Sequence, residues 1–152
     1  METCAAGVAA PRIVAYNRNS YFERLATSGD EPVPFTNLLK RLVSSVDGAT
    51  GALLLESDGE AVQWYCPADA ERLRLRCAYL VNVLQSCRTA TARLNVGEIG
   101  HLAISYDGAS FVVQEVSPGY YLLLEMSPQA NVASALYRLK QALPEARAAF
   151  DP

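Results

Sequence analysis

A single histidine, four cysteines and three carboxylates around one turn are the main chemical resources of this 152-residue chain. His101 opens a predicted strand, and no serine or cysteine stands near it in a nucleophile pattern, so a Ser–His–Asp relay is not expected. With no paired cysteines to join it, a zinc site lacks ligands. The cysteines are Cys4, Cys66, Cys77 and Cys87, and none forms a C-x-x-C pair. Cys77 and Cys87 fall on one predicted helix, ~15 Å apart along its axis, too far for a direct bridge. They are expected to be isolated thiols in a reducing compartment. Glu56, Asp58 and Glu60 could do acid–base work or hold a hard cation. They flank an Asp58-Gly59 turn, however, where charges simply solvate the loop. Gly48-Ala49-Thr50-Gly51 follows a helix where a phosphate-cradling loop would precede one, and no Lys-Ser/Thr pair comes after it. The residue types therefore predict no enzyme, no bound metal and no cofactor.

Arginines are the remaining candidates. Between Asp69 and Arg93 lie five of them (72, 74, 76, 88 and 93) and two acids, a segment of +3 in a chain of −3. A basic rim of this kind steers acidic partners, although a solvated helix face explains it too. The overall acidity, with a pI near 5.1, argues against nucleic-acid binding, which needs a basic face to release counterions. Charged residues make up 19% of the chain and apolar ones 51%, against roughly 25% charged in an average domain. Either a second chain covers part of the surface or the surface is unusually rich in alanine. No run approaches the ~18 apolar residues of a membrane span, and the start lacks a basic leader followed by an apolar run. The expectation is a cytoplasmic protein without membrane insertion.

The elements that must position these residues follow from periodicity. Residues 1–33 read as an N-terminal extension, partly ordered at most, closed by the breaker cluster Ser28-Gly29-Asp30-Glu31-Pro32-Val33-Pro34. Residues 34–152 read as one domain. Leu38, Leu39, Leu42, Val43 and Val46 make a helical stripe over Phe35 to Val46, with Thr36 as a candidate cap and Gly48 turning the chain beyond it. Ala52 to Glu56 is a central strand, and Asp58-Gly59 returns it through Ala61 to Tyr65. A long helix runs from an Asp69 cap to Leu94, with Leu73, Cys77, Leu80, Leu84 and Cys87 as its core stripe. Leu75, Tyr79 and Val83 lie on another side, which also carries Arg72 and Arg76, so this helix needs two neighbours. Strands follow at Ile99 to Tyr106, Ser110 to Val116 and Tyr120 to Met126. A last helix starts near Asn131 and is interrupted by Pro144. The expected fold is α+β: about five mostly antiparallel strands with helices on both faces.

The pattern Leu-x-x-Leu-Val-x-x-Val-x-Gly-Ala of residues 39–49, followed by Gly-Ala-Leu-Leu-Leu-Glu-Ser-Asp-Gly of residues 51–59, resembles the roadblock / dynein light-chain family. The bacterial members that regulate a Ras-like polarity GTPase are the most similar in style. The resemblance extends over the long helix, Ile104-Ser105-Tyr106-Asp107-Gly108, Tyr121-Leu122-Leu123-Leu124 and Ala135-Leu136, most of residues 34–143. It implies an α/β/α sandwich without chemistry of its own. It also implies a homodimer made by pairing the edge strand Leu102–Tyr106, with Ile104 at its centre, and by packing Leu75, Tyr79 and Val83 helix to helix. The pair would then bind a small Ras-like GTPase, with Arg72, Arg76 and Arg88 as residues to test for direct help in hydrolysis. Residues 1–33 have no counterpart in the pattern. Two other readings are a scaffold subunit of a motor or signalling complex, and a small-ligand sensor whose cavity Trp64, Tyr120 and Tyr121 would line.

Overall fold

The computed structural model describes residues 34–150, and the predicted extension 1–33 lies outside them. The first helix, α1 (Pro34–Ser45), buries Phe35, Leu38, Leu39 and Leu42, one stripe at helical spacing. Thr36 is inside its first turn and is no cap: its hydroxyl accepts from Gln63 Nε2 at 2.6 Å. Gly48 takes a φ of +85°, and a Cβ there would come within 2.7 Å of Ser127 Oγ, so both backbone and space demand glycine.

Five strands follow in two groups: β1 (Ala49–Glu56), β2 (Ala61–Tyr65), then β3 (Leu102–Tyr106), β4 (Ala109–Ser117) and β5 (Tyr120–Met126). The sheet order is β2-β1-β5-β4-β3, and every pairing is antiparallel. Between the groups runs α2 (Ala70–Leu94), and α3 (Val132–Ala148) closes the described chain. Asp69 caps α2 by accepting from the Arg72 amide at 3.0 Å, as its sequence position predicts.

The period of two along the strands sorts the side chains onto two faces. Ala52, Leu54, Val112, Leu122, Leu124 and Met126 pack against α1 and α3. Leu53, Leu55, Phe111, Val113, Tyr121 and Leu123 pack against α2. The expected α+β sandwich with helices on both faces is what forms.

Three further local expectations are corrected. The core stripe of α2 is Leu73, Cys77, Val81 and Leu84; Val81 replaces Leu80 because the helix, anchored by its cap and Leu73, rolls Leu80 to the rim. β3 starts at Leu102 and not at Ile99: its ladder with β4 ends at the Leu102–Val113 pair, although β4 itself runs on to Ser117. Pro144 does not interrupt α3. Its missing N–H frees one carbonyl on an exposed face, where water can take it, while Leu143 and Ala146 on either side stay buried in the core.

Gly51 lies where α2 crosses β1. A Cβ there would meet Leu73 Cδ2 at 2.6 Å and the Cys66 Cβ at 3.3 Å. Gly51→Ala should destabilise the domain by about 1–3 kcal/mol through overpacking, read as a lower urea midpoint at unchanged slope.

Candidate functional site

The surface that the sequence singles out is built by α2 and β3 together. In an antiparallel ladder, directly opposed residues point to the same face. Leu102 opposes Val113, Ile104 opposes Phe111 and Tyr106 opposes Ala109. Val113, Phe111 and Ala109 belong to the α2-side core, so Leu102, Ile104 and Tyr106 lie on that face too. β3 is a sheet edge. Leu102 and Ile104 are half-buried, and Tyr106 is 45% exposed while stacking on Phe111 at 5.8 Å between ring centroids.

The orientation of α2 follows from its contacts. One flank faces β2: the Arg74 guanidinium sits 4.2 Å from the Trp64 ring centre, and Ala78 abuts Gly59. The other flank faces β3. Tyr106 feels the charges of Arg76 and Arg72, which favour its ionised form; burial and Glu125 outweigh them and raise its pKa. On that flank Arg72, Arg76, Tyr79, Val83, Cys87, Ala90 and Leu94 follow one another at intervals of three and four. At ~100° per residue they form one stripe ~115° around the helix from the buried one. Tyr79 is 67% exposed, Val83 44% and Leu94 70%. The stripe and the half-open β3 border a shelf that no described element covers, with Phe111 buried beneath Tyr106 at its side.

Leu75 is exposed as well. It lies ~165° from the core stripe, ~40° around the helix from Tyr79 and ~80° from Val83, at the outer margin of the stripe. The sequence grouped it with Tyr79 and Val83. The geometry extends that line to Ala90 and Leu94, which sequence reasoning misses, and to Cys87, which the sequence places in the core stripe and the structure leaves half-buried on this flank. The four- and three-residue spacing was the available signal, muted by the low hydrophobicity of alanine and cysteine.

The arginines divide by their partners. Arg76 Nε and Nη2 both donate to Glu125 Oε2, at 2.9 and 2.6 Å, and Thr50 Oγ1 donates to Oε1 at 2.8 Å. Glu125 is buried on β5. Burial works against the Arg76 charge, yet hydrogen bonding and attraction to Glu125 more than offset it and raise its pKa. The same pocket pushes the Cys77 thiol pKa upward, mainly by burial, so it is inert at neutral pH. Arg88 bonds Glu115 Oε2 at 2.5 Å and the Tyr121 hydroxyl at 2.9 Å; the Glu115 hydrogen bond raises its pKa. Arg76 and Arg88 are thus tied to the sheet, and Arg72 is exposed.

The other chemical candidates do not assemble. His101 is exposed just before β3. Among the described residues, no three potential metal ligands come together, and Cys66, Cys77 and Cys87 are free. Tyr121 is buried on the α2 face, Tyr120 packs on the opposite face, and Trp64 stands on the far edge under Arg74, so they line no common cavity. No described helix is long and apolar enough to cross a membrane.

No protein-family model matches the sequence, and no curated protein matches it significantly. Solved structures do resemble it. A Roadblock/LC7 domain from Streptomyces avermitilis aligns over 76% of this chain and 96% of its own, at 21% identity and a TM-score of 0.69. MglC from Myxococcus xanthus aligns over 76% of this chain and 98% of its own, at 24% identity and a TM-score of 0.58. Myxococcus xanthus MglB aligns over 82% of this chain and 92% of its own, at 12% identity and a TM-score of 0.70. The fold is that of Roadblock/LC7 domains.

Proposed function

We propose that this chain is a non-catalytic adaptor that pairs with a second copy of itself and, as a pair, binds and regulates a small Ras-like GTPase. The observation that carries the pairing is the uncovered stripe of α2 beside the open edge of β3. An unpaired strand edge is a template for another strand, and a stripe at intervals of three and four suits a second helix.

Both features ask for the same symmetry. If two β3 edges pair antiparallel in one continuous sheet, the two-fold axis stands perpendicular to the sheet and both α2 helices lie on the same side, antiparallel. The stripe fits that arrangement. Its N-terminal half holds Arg72, Arg76 and Tyr79, its C-terminal half holds the small Cys87 and Ala90 and then Leu94, which would meet Arg72 at the seam's ends, and Val83 is the midpoint. An antiparallel mate sets Tyr79 against Cys87, Arg76 against Ala90 and Val83 against Val83. A parallel mate would set large on large.

The GTPase part of the reading rests on the resemblance of the helix–glycine–strand pattern to the roadblock family, and on the shared fold. With Arg76 and Arg88 committed to Glu125 and Glu115, any stimulation of hydrolysis works by positioning the GTPase's own residues, leaving Arg72 as the exposed candidate. Pull-down with a small Ras-like GTPase loaded with a non-hydrolysable GTP analogue or with GDP tests this. The triphosphate state should be retained preferentially; equal capture of both, or of neither, contradicts regulation and favours a scaffold without a GTPase.

A further inference from the structure

The charges of the described residues are unevenly divided among the chain's elements. The helices α1 and α3 carry Lys40, Arg41, Arg138, Lys140 and Arg147, all exposed, and a single acid, Glu145. Every other basic residue from 34 to 150 is one of the five arginines of α2, set among ten acids. The two helices are therefore +4 and the rest of residues 34–150 is −5; of those remaining acids, Glu56 shares the α1/α3 face, where it opposes Tyr120.

The cations are spread across the layer. Lys40 stands over the Tyr65 ring at 5.8 Å, toward the β2 edge. Arg41 pairs with Glu145 between the two helices. Arg147 donates from Nε to the Val116 carbonyl at 3.1 Å, over β4. Tyr137, 59% exposed, lies on the outer side of α3 beneath Arg138, with its hydroxyl accepting from Gln141 Nε2 at 2.8 Å. An amphipathic ring among dispersed cations suits an interface between water and lipid headgroups. The spacing suits a broad anionic surface better than the line of charges that an acidic peptide would need.

We infer that the outer face of α1 and α3 docks on an anionic lipid surface, holding the chain peripherally while α2 faces away. This rests in part on the self-pairing above: the perpendicular two-fold axis keeps both α1/α3 layers on one side, so a pair presents ten cations together. Attraction to such a surface grows with each basic residue and is screened by salt.

The test is co-sedimentation of the full chain with vesicles of phosphatidylcholine plus phosphatidylserine, or of phosphatidylcholine alone, at low and high salt. The chain should pellet with the anionic vesicles only and be released by salt. Arg138→Glu with Lys140→Glu should weaken that binding at least tenfold while the mass in solution stays unchanged. No binding to anionic vesicles, equal binding to neutral ones, or full retention by the double variant overturns the inference. Val83→Asp separates the two readings. Weaker but salt-sensitive binding by that variant supports both, whereas binding equal to wild type overturns the pairing and leaves the lipid face standing.

Discussion

Val83→Asp should convert the protein from a dimer to a monomer at micromolar concentration without unfolding it. Val83 sits at the centre of the α2 stripe and is 44% exposed in the single chain, so within one copy the aspartate stays hydrated and costs at most about 0.5 kcal/mol. In the pair it would meet its own symmetry mate in a desolvated seam. An uncompensated buried charge costs about 3–5 kcal/mol, and here each copy brings one. The dissociation constant should rise by a factor of ~1000 or more. Sedimentation equilibrium reads the change, and far-ultraviolet circular dichroism confirms the fold. Leu75→Asp is the matched control. That residue is 61% exposed and lies ~80° around the helix from Val83, at the outer margin of the stripe, so its substitution should weaken the dimer far less.

The second large effect concerns the ion pair beneath the shelf. Arg76→Met removes the cation from Glu125, whose side chain is only 7% exposed. Thr50 still donates to one carboxylate oxygen, but the charge is left uncompensated. The expected loss of stability is about 3–5 kcal/mol, visible as a large drop in the urea midpoint. Arg76→Met combined with Glu125→Met removes both charges and should recover most of that loss, since an apolar pair of similar volume is tolerated where a broken ion pair is not. If the single and double variants are equally destabilised, the two residues are not coupled and the pair does not anchor α2 to the sheet.

How much of this could be read in the residues depends on the range of the interaction. Asp69 as a cap, the run from Tyr120 to Met126 and the turn at Asp58-Gly59 are local features, and α2 and β5 fall where the residues put them. The exposed side of α2 was legible because Leu75, Tyr79 and Val83 are large and off the core stripe. Its true extent was not, because Cys87 and Ala90 carry little hydrophobic signal and Leu75 is placed by the roll of the helix. That roll is set by Val81 and Leu84 packing on the sheet. The Arg76–Glu125 contact spans 49 positions and the Arg88–Glu115 contact 27. No short-range pattern joins such partners, so the arginines looked free when two of them are anchored. Pro144 misled for a related reason: a proline weakens a helix locally, while the buried residues flanking it hold α3 to the core.

Pairing of two copies through β3, with their α2 helices side by side, is open to measurement at the strand itself. Amide hydrogen exchange along Leu102–Tyr106, followed as protein concentration is raised, tests it most directly. The amides pointing away from β4 should exchange quickly in dilute protein and become protected as the pair forms, with Val83→Asp abolishing the protection. Fast exchange at every concentration, in a chain that sediments as a monomer throughout, would contradict it.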